Sequence, residues 1–185
     1  MRAQIDYVEM KTKMYIISFR GLKEGKHQFD YKVDSTFFEV YQYEDILDAD
    51  LQVHLNFIKK SRLLELGFNV EGKATVACDI TNELYEQPVN GSLEFVVQFG
   101  DSYNDENEDV LILPHETYEI DVAHYIYEMI VLALPSKKVH PGVANGTLKS
   151  DILDKLKELQ PKEKQNNNID PRWDKLKGLL TDKKI

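Results

Sequence analysis

The chain has one cysteine and one tryptophan in 185 residues, and no long apolar run. A lone cysteine, Cys78, excludes an internal disulfide framework. The longest uninterrupted apolar stretch, Met129 to Leu134, falls far short of the ~20 residues a membrane helix needs. The opening segment, MRAQIDYVEMKTKM, holds no apolar signal core and carries acids, which argues against secretion and organelle import. The expected compartment is a reducing cytoplasm, with no membrane association. Motifs that announce chemistry are missing too. Neither GxGxxG nor GxxxxGK[ST] occurs, so no phosphate-cradling loop is visible. There is no nucleophile-elbow serine and no HExxH. These absences leave no small-molecule substrate, no cofactor and no catalytic residue to name.

What is present is charge, unevenly spread. The net charge is −9. From Lys149 to Ile185 there are 10 Lys/Arg against 7 Asp/Glu, a net of +3, so the preceding 148 residues carry −12. Affinity for a phosphate backbone rests on Lys and Arg displacing counterions. Broad RNA binding by the acidic body is therefore disfavoured, and any nucleic-acid contact must use the tail or a local patch. A basic protein partner is electrostatically easier.

Apolar residues make up 42% of the chain, enough for a core. They follow the period of two that marks half-buried strands. Tyr15, Ile17 and Phe19 share one face. After a turn at Gly21–Lys26, Phe29, Tyr31 and Val33 alternate in their turn, and the two runs read as a hairpin. Asp34 or Ser35 caps a short helix to about Tyr43, with Phe37, Phe38 and Tyr41 as its stripe. Leu51, Val53, Leu55 and Phe57 make the next strand. A Lys59–Arg62 turn leads to Leu64, Leu66, Phe68 and Val70. Glu71-Gly72 reads as another turn, into Ala74, Val76, Cys78 and Ile80. A longer loop with Pro88 and Asn90-Gly91 precedes Leu93, Phe95, Val97 and Phe99. Short links favour antiparallel pairing.

Residues 101–109, DSYNDENED, are too polar to pack and read as an acidic exposed loop, with Val110–Leu113 a last short strand. Asp121 caps a helix whose core stripe is Val122, Ile126, Met129, Ile130 and Ala133, ended by Pro135. SKKVHPGVANG has no period and reads as a loop. Ser150 or Asp151 opens a helix carrying Ile152, Leu153, Leu156 and Leu159. The expected architecture is α+β: an antiparallel sheet or partly closed barrel of about six strands, with packed helices and a helical C-terminal tail. The expected divisions are an N-terminal extension at 1–13, an acidic strand-rich domain at 14–160, a flexible linker at 161–169 and an amphipathic helix at 170–185.

Few residues compete for a chemical role. His124 and Glu128 stand four apart on a helix, a spacing that suits two ligands, but a solvated face opposite the core stripe explains it better. Glu116, Glu119 and Asp121 sit where negative charge favours a helix N-terminus. Cys78 shares a strand face with Val76 and Ile80, the setting of a small core hydrophobe. In the tail, Asp170 is a cap and Pro171 occupies the first helical position. Trp173, Leu176 and Leu180 form a stripe beside Arg172, Lys175 and Lys177. That helix either docks on a partner or folds back on its own domain.

Three stretches, in order, resemble the YceD family, the bacterial large-ribosomal-RNA accumulation proteins also found in chloroplasts. EGKATVACDIT (Glu71–Thr81) is similar to a family strand that ends in a Cys-Asp-x-Cys element. IDVAHYIYEMIVLALP (Ile120–Pro135) resembles the family's helix ending in Leu-Pro. DPRWDKLKGLL (Asp170–Leu180) resembles its terminal Asp-Pro-Arg-x-x-x-Leu-x-x-Leu. Many members carry two cysteine pairs that look like a metal knuckle. Here Cys78 stands alone, Thr81 occupies the partner position, and the segment after Pro135 offers His140. Structural zinc wants about four Cys/His ligands, so the departure implies a fold that manages without metal.

The resemblance implies a non-enzymatic factor needed for large-subunit (23S) ribosomal RNA to accumulate. Its partners would be pre-ribosomal large-subunit components, ribosomal protein, rRNA or both. The family's gene often neighbours one for a large-subunit ribosomal protein, which adds a candidate partner. The interaction residues so implied are Asp170, Pro171, Arg172, Trp173, Leu176 and Leu180, with the acidic surface at Asp101 to Asp109. Two rival readings remain: a chaperone for one basic ribosomal protein without RNA contact, and a metal-dependent RNA-processing hydrolase.

Overall fold

Apolar–polar alternation from Asp48 onward does build a sheet, and its strands are longer than the sequence suggests. The computed structural model describes residues 13–107 and 109–159. The chain divides into two units, Met1–Lys149 and Ser150–Ile185. In the first, the main strands are β2 (Gly25–Val33), β3 (Asp48–Lys59), β4 (Leu63–Ala77), β5 (Leu84–Gly100), β6 (Asn104–Asn107) and β7 (Val110–Pro114). They form one sheet in the order β2-β3-β4-β5-β7-β6. The sheet does not close: β2 and β6 each pair on one side only, which decides between the open sheet and the barrel. A second sheet joins β1 (Ile16–Ile17) to β8 (Ile120–Asp121).

One face of the main sheet is the core. Val33, Leu51, Val53, Leu55, Phe57, Leu64, Leu66, Phe68, Val70 and Val97 are all buried. Each fully buried large side chain contributes about 1.5–3 kcal/mol relative to exposure. Helix α1 (Ser35–Val40) buries Phe37 and Phe38, and the Asp34 carboxylate caps it by accepting from Thr36 N at 3.1 Å. Helix α2 (Ala123–Ala133) buries Ile126, Met129 and Ile130. Its start is held by Asp121, whose Oδ1 accepts from Ala123 N at 2.9 Å. The loop expected around Pro141 contains a one-turn helix, α3 (Pro141–Ala144). In the second unit, α4 (Asp151–Leu159) forms where the apolar spacing predicts it.

Four expectations are corrected. Residues 15–33 are not a hairpin: only Ile16–Ile17 is extended, between 3-10 turns at Lys13–Tyr15 and Phe19–Gly21, and it pairs with β8. Strand β2 instead pairs with β3 along its whole length, Gly25 opposite Lys59 to Val33 opposite Leu51. Glu71-Gly72 is not a turn. Gly72, at φ +143°, lets β4 run on past a close approach to β3, where a Cβ would meet Asp50 O at 2.2 Å. Nor is there a loop at Pro88: β5 runs straight through it. Along that stretch β5 has β4 on one side and no strand on the other, the place where a strand tolerates proline. Gly91 is needed there because a Cβ would come within 2.9 Å of Ala133 on α2.

The last correction concerns the acidic segment. Asn104–Asn107 is an edge strand, β6, paired antiparallel with β7, and β7 pairs parallel with β5. A parallel pair needs a long return connection. Here β6 is the return leg, placed outside β7. Polar side chains do not prevent this, because pairing uses backbone groups and an edge strand leaves side chains in water.

Candidate functional site

The sequence-derived candidates do not converge. His124 Nε2 and Glu128 Oε1 are 3.0 Å apart on the exposed side of α2, an i,i+4 pair on a solvated face. Asp121, one residue before the N-cap Val122, is occupied in accepting from Ala123 N at the start of α2. Among the described residues, no three His, Cys, Asp or Glu side chains are grouped to hold a metal ion. Asp170, Pro171, Arg172, Trp173, Leu176 and Leu180 lie outside the described residues, as do residues 1–12 and the linker 161–169.

Cys78 does meet the segment after Pro135. Strand β4 ends at Ala77 and turns back through Asn82, whose N donates to Cys78 O at 2.8 Å. The Sγ of Cys78, 2% exposed, accepts from His140 N at 3.3 Å. Beside it, Asp79 N donates to Lys138 O at 2.8 Å and Asp79 Oδ2 accepts from Lys138 N at 2.6 Å. The Lys138 ammonium reaches Asp45 at 2.6 Å. Burial raises the Cys78 thiol, but hydrogen bonds from His140 N, the Thr81 hydroxyl and the backbone of Ile80 and Thr81 outweigh it and hold the thiol at about 7.

A second feature was not singled out in the sequence. The turn Phe19–Gly21, the turn between β3 and β4, the end of β5 and residues 115–117 enclose a groove of about 520 Å³. Arg20, Lys59, Lys60, Arg62 and His115 line it, and its lining holds no carboxylate. Between residues 13 and 149, Arg20 and Arg62 are the only arginines. Both are exposed. Lys59 is structural: its ammonium donates to Leu22 O at 2.7 Å, Phe19 O at 2.8 Å and Arg20 O at 3.5 Å. Lys60 pairs with Glu65. Arg20 N donates to Tyr118 O at 3.3 Å, which ties the first turn to the far wall. The floor is apolar, with Phe19 and Phe99 in ring contact at 5.7 Å. The signal was there as two arginines beside two turns, but they are 42 positions apart in the chain.

The family model described as "Large ribosomal RNA subunit accumulation protein YceD" matches residues 66–180, more than half of the chain. The chain belongs to the YceD family. All three stretches that carry the resemblance fall inside the matched region. No curated protein and no solved structure matches.

The cysteine knuckle that the family resemblance suggests would fall at this corner. Cys78 and the 138–140 segment do come together, as the knuckle requires. The donors do not fit a metal. Thr81 holds the second position, and His140 Nδ1 already accepts from Gly142 N at 2.9 Å. The His140 ring lies edge-on to Tyr85 at 5.4 Å. Tetrahedral zinc needs four Cys/His ligands, and this corner offers at most two. Hydrogen bonds between the Cys78–Asp79 turn and Lys138–His140 join the two segments instead. No helix among the described residues is long and apolar enough to cross a membrane.

Proposed function

We propose that this YceD-family protein is a non-enzymatic ribosome-biogenesis factor. It promotes accumulation or processing of 23S rRNA in the cytoplasm by binding pre-ribosomal large-subunit components. The observation that carries this reading is the family match over residues 66–180. Metal-assisted hydrolysis needs carboxylates gathered within reach of one ion, and among the described residues no three His, Cys, Asp or Glu side chains are so grouped. The C-terminal segment, with Asp170, Pro171, Arg172, Trp173, Leu176 and Leu180, supplies a tethered second contact. An aromatic anchor on a short amphipathic segment is a common way to hold a partner groove.

Deleting residues 161–185 tests that division of labour. The expected result is reduced co-sedimentation with large-subunit precursors and lower 23S rRNA in cells relying on the truncated protein. Unchanged values for both remove the tail from the mechanism. A second reading, a chaperone for one basic large-subunit protein without RNA contact, is favoured by the −12 carried by residues 1–148. Binding of that protein but not of free rRNA by the purified chain would select it.

A further inference from the structure

We propose that the groove lined by Arg20, Lys60, Arg62 and His115 is a binding site for single-stranded RNA, with phosphates on the two guanidinium groups. The inference rests on the reading that the protein works on pre-ribosomal particles, and it names the surface and the ligand class. In a chain with 32 acids and 23 bases, a groove whose lining holds four bases, a histidine and no acid is a local reversal of sign, carried chiefly by Arg20 and Arg62 because Lys60 is paired with Glu65 and Lys59 is held by backbone carbonyls. Exposed charges farther apart than about 8 Å are largely screened at physiological salt, so charges close to the groove weigh most in what it attracts. The acidic remainder then discourages sliding and leaves the groove as the place of approach.

Arginine adds geometry to charge. Its planar fork suits two phosphate oxygens at once, which a lysine cannot match. No ion pair in the structure occupies Arg20 or Arg62 among the described residues, whereas Lys32 pairs with Asp50 and Lys73 with Glu86 on the outward face of the sheet. The groove also offers a ring. Phe99 is half-buried and braced by Phe19, a platform on which an unpaired base can stack. An acidic peptide would satisfy the guanidinium groups but would gain nothing from that ring.

The test titrates a short fluorescein-labelled single-stranded RNA with the full chain, comparing R20Q/R62Q with K32Q/K73Q, which removes the same charge elsewhere. R20Q/R62Q is expected to bind about tenfold more weakly. Its slope of log affinity against log salt should shrink by about 1.4, two phosphate contacts on a single strand. K32Q/K73Q should keep wild-type affinity and slope. Equal losses in the two double variants, or displacement of the RNA by polyglutamate as readily as by unlabelled RNA, would overturn the assignment. If R20Q/R62Q folds poorly, R20K/R62K serves in its place: it retains the salt slope and loses affinity, and unchanged affinity argues against bidentate arginine contacts. Co-sedimentation of the wild-type chain with large-subunit precursors is scored alongside. Its persistence with unaltered RNA binding by R20Q/R62Q sinks the groove alone, and its failure in the wild type sinks the biogenesis reading.

Discussion

His140 N donates to the Sγ of Cys78 at 3.3 Å, joining the end of β4 to a segment 62 residues later in the chain. Replacing Cys78 with Ala leaves a half-buried N–H without its acceptor and a small void, at a cost of about 1–3 kcal/mol. Urea unfolding measures the loss. Adding EDTA to the wild type should leave its melting temperature unchanged, and a chelator-induced drop would show that the corner does hold a metal.

The same bond, together with those from Thr81 and the Ile80 backbone, makes stability depend on pH. The folded thiol sits at about 7, below its ordinary value of 9.0. A depressed folded value means that folding favours the thiolate, so the contribution is complete above pH 9 and disappears as pH falls through 7. The stability gap between the wild type and Cys78→Ala should widen between pH 7 and 9. A gap that is flat or narrows over that range would contradict the hydrogen-bond account.

Gly72 is irreplaceable for two separate reasons. Its φ of +143° is a region side chains rarely enter, and a Cβ would overlap Asp50 O at 2.2 Å. Gly72→Ala should destabilise the sheet by about 3 kcal/mol or more, or prevent accumulation of folded protein. Gly21→Ala, where a Cβ meets nothing within 4 Å, is the matched control and should be nearly silent.

Lys59 staples the Phe19–Gly21 turn through three carbonyls. Lys59→Met keeps the stem and removes the donors, a loss of about 2 kcal/mol. Amide exchange in residues 19–22 should rise while β4 stays protected. RNA affinity should fall as well, because Arg20 loses its fixed position. Exchange unchanged in that turn would show that the staple is dispensable.

Tyr15, Tyr31 and Tyr41 cluster beside α1, and burial, assisted by nearby Asp34 or Asp121, raises each to about 12. A raised folded value means these phenols favour folding below pH 10 and lose that contribution as pH climbs towards 12. Ultraviolet titration should show part of the tyrosine absorbance changing only near pH 12, with loss of the fold. Full ionisation near pH 10 in the native state would place the rings in water.

Local pattern made much of this readable. Period-two runs located the cores of β3, β4 and β5, and the stripe Val122, Ile126, Met129, Ile130 located α2. Where the reading failed, a local signal met a tertiary constraint. Glu71-Gly72 and Asn90-Gly91 look like turns because glycine usually marks one. In the fold each glycine answers a close approach from elsewhere, Asp50 on β3 and Ala133 on α2. The 15–33 hairpin failed similarly, since β2 found a longer partner in β3 than Ile16–Ile17 could offer.

By itself, the sequence determined the α+β composition of secondary structure, the buried faces of the strands, the separation of acidic body from basic tail and, through its motifs, the family. Those properties depend on residue type and spacing over a few neighbours. Only the tertiary structure decided the strand order, the parallel pairing of β5 with β7, the corner at Cys78 and the gathering of Arg20 and Arg62 into one groove. Each of these joins residues 14 or more positions apart in the chain, as Val96 and Val110 are, and such meetings are set by how a whole sheet twists and folds back, which no short window of residues encodes.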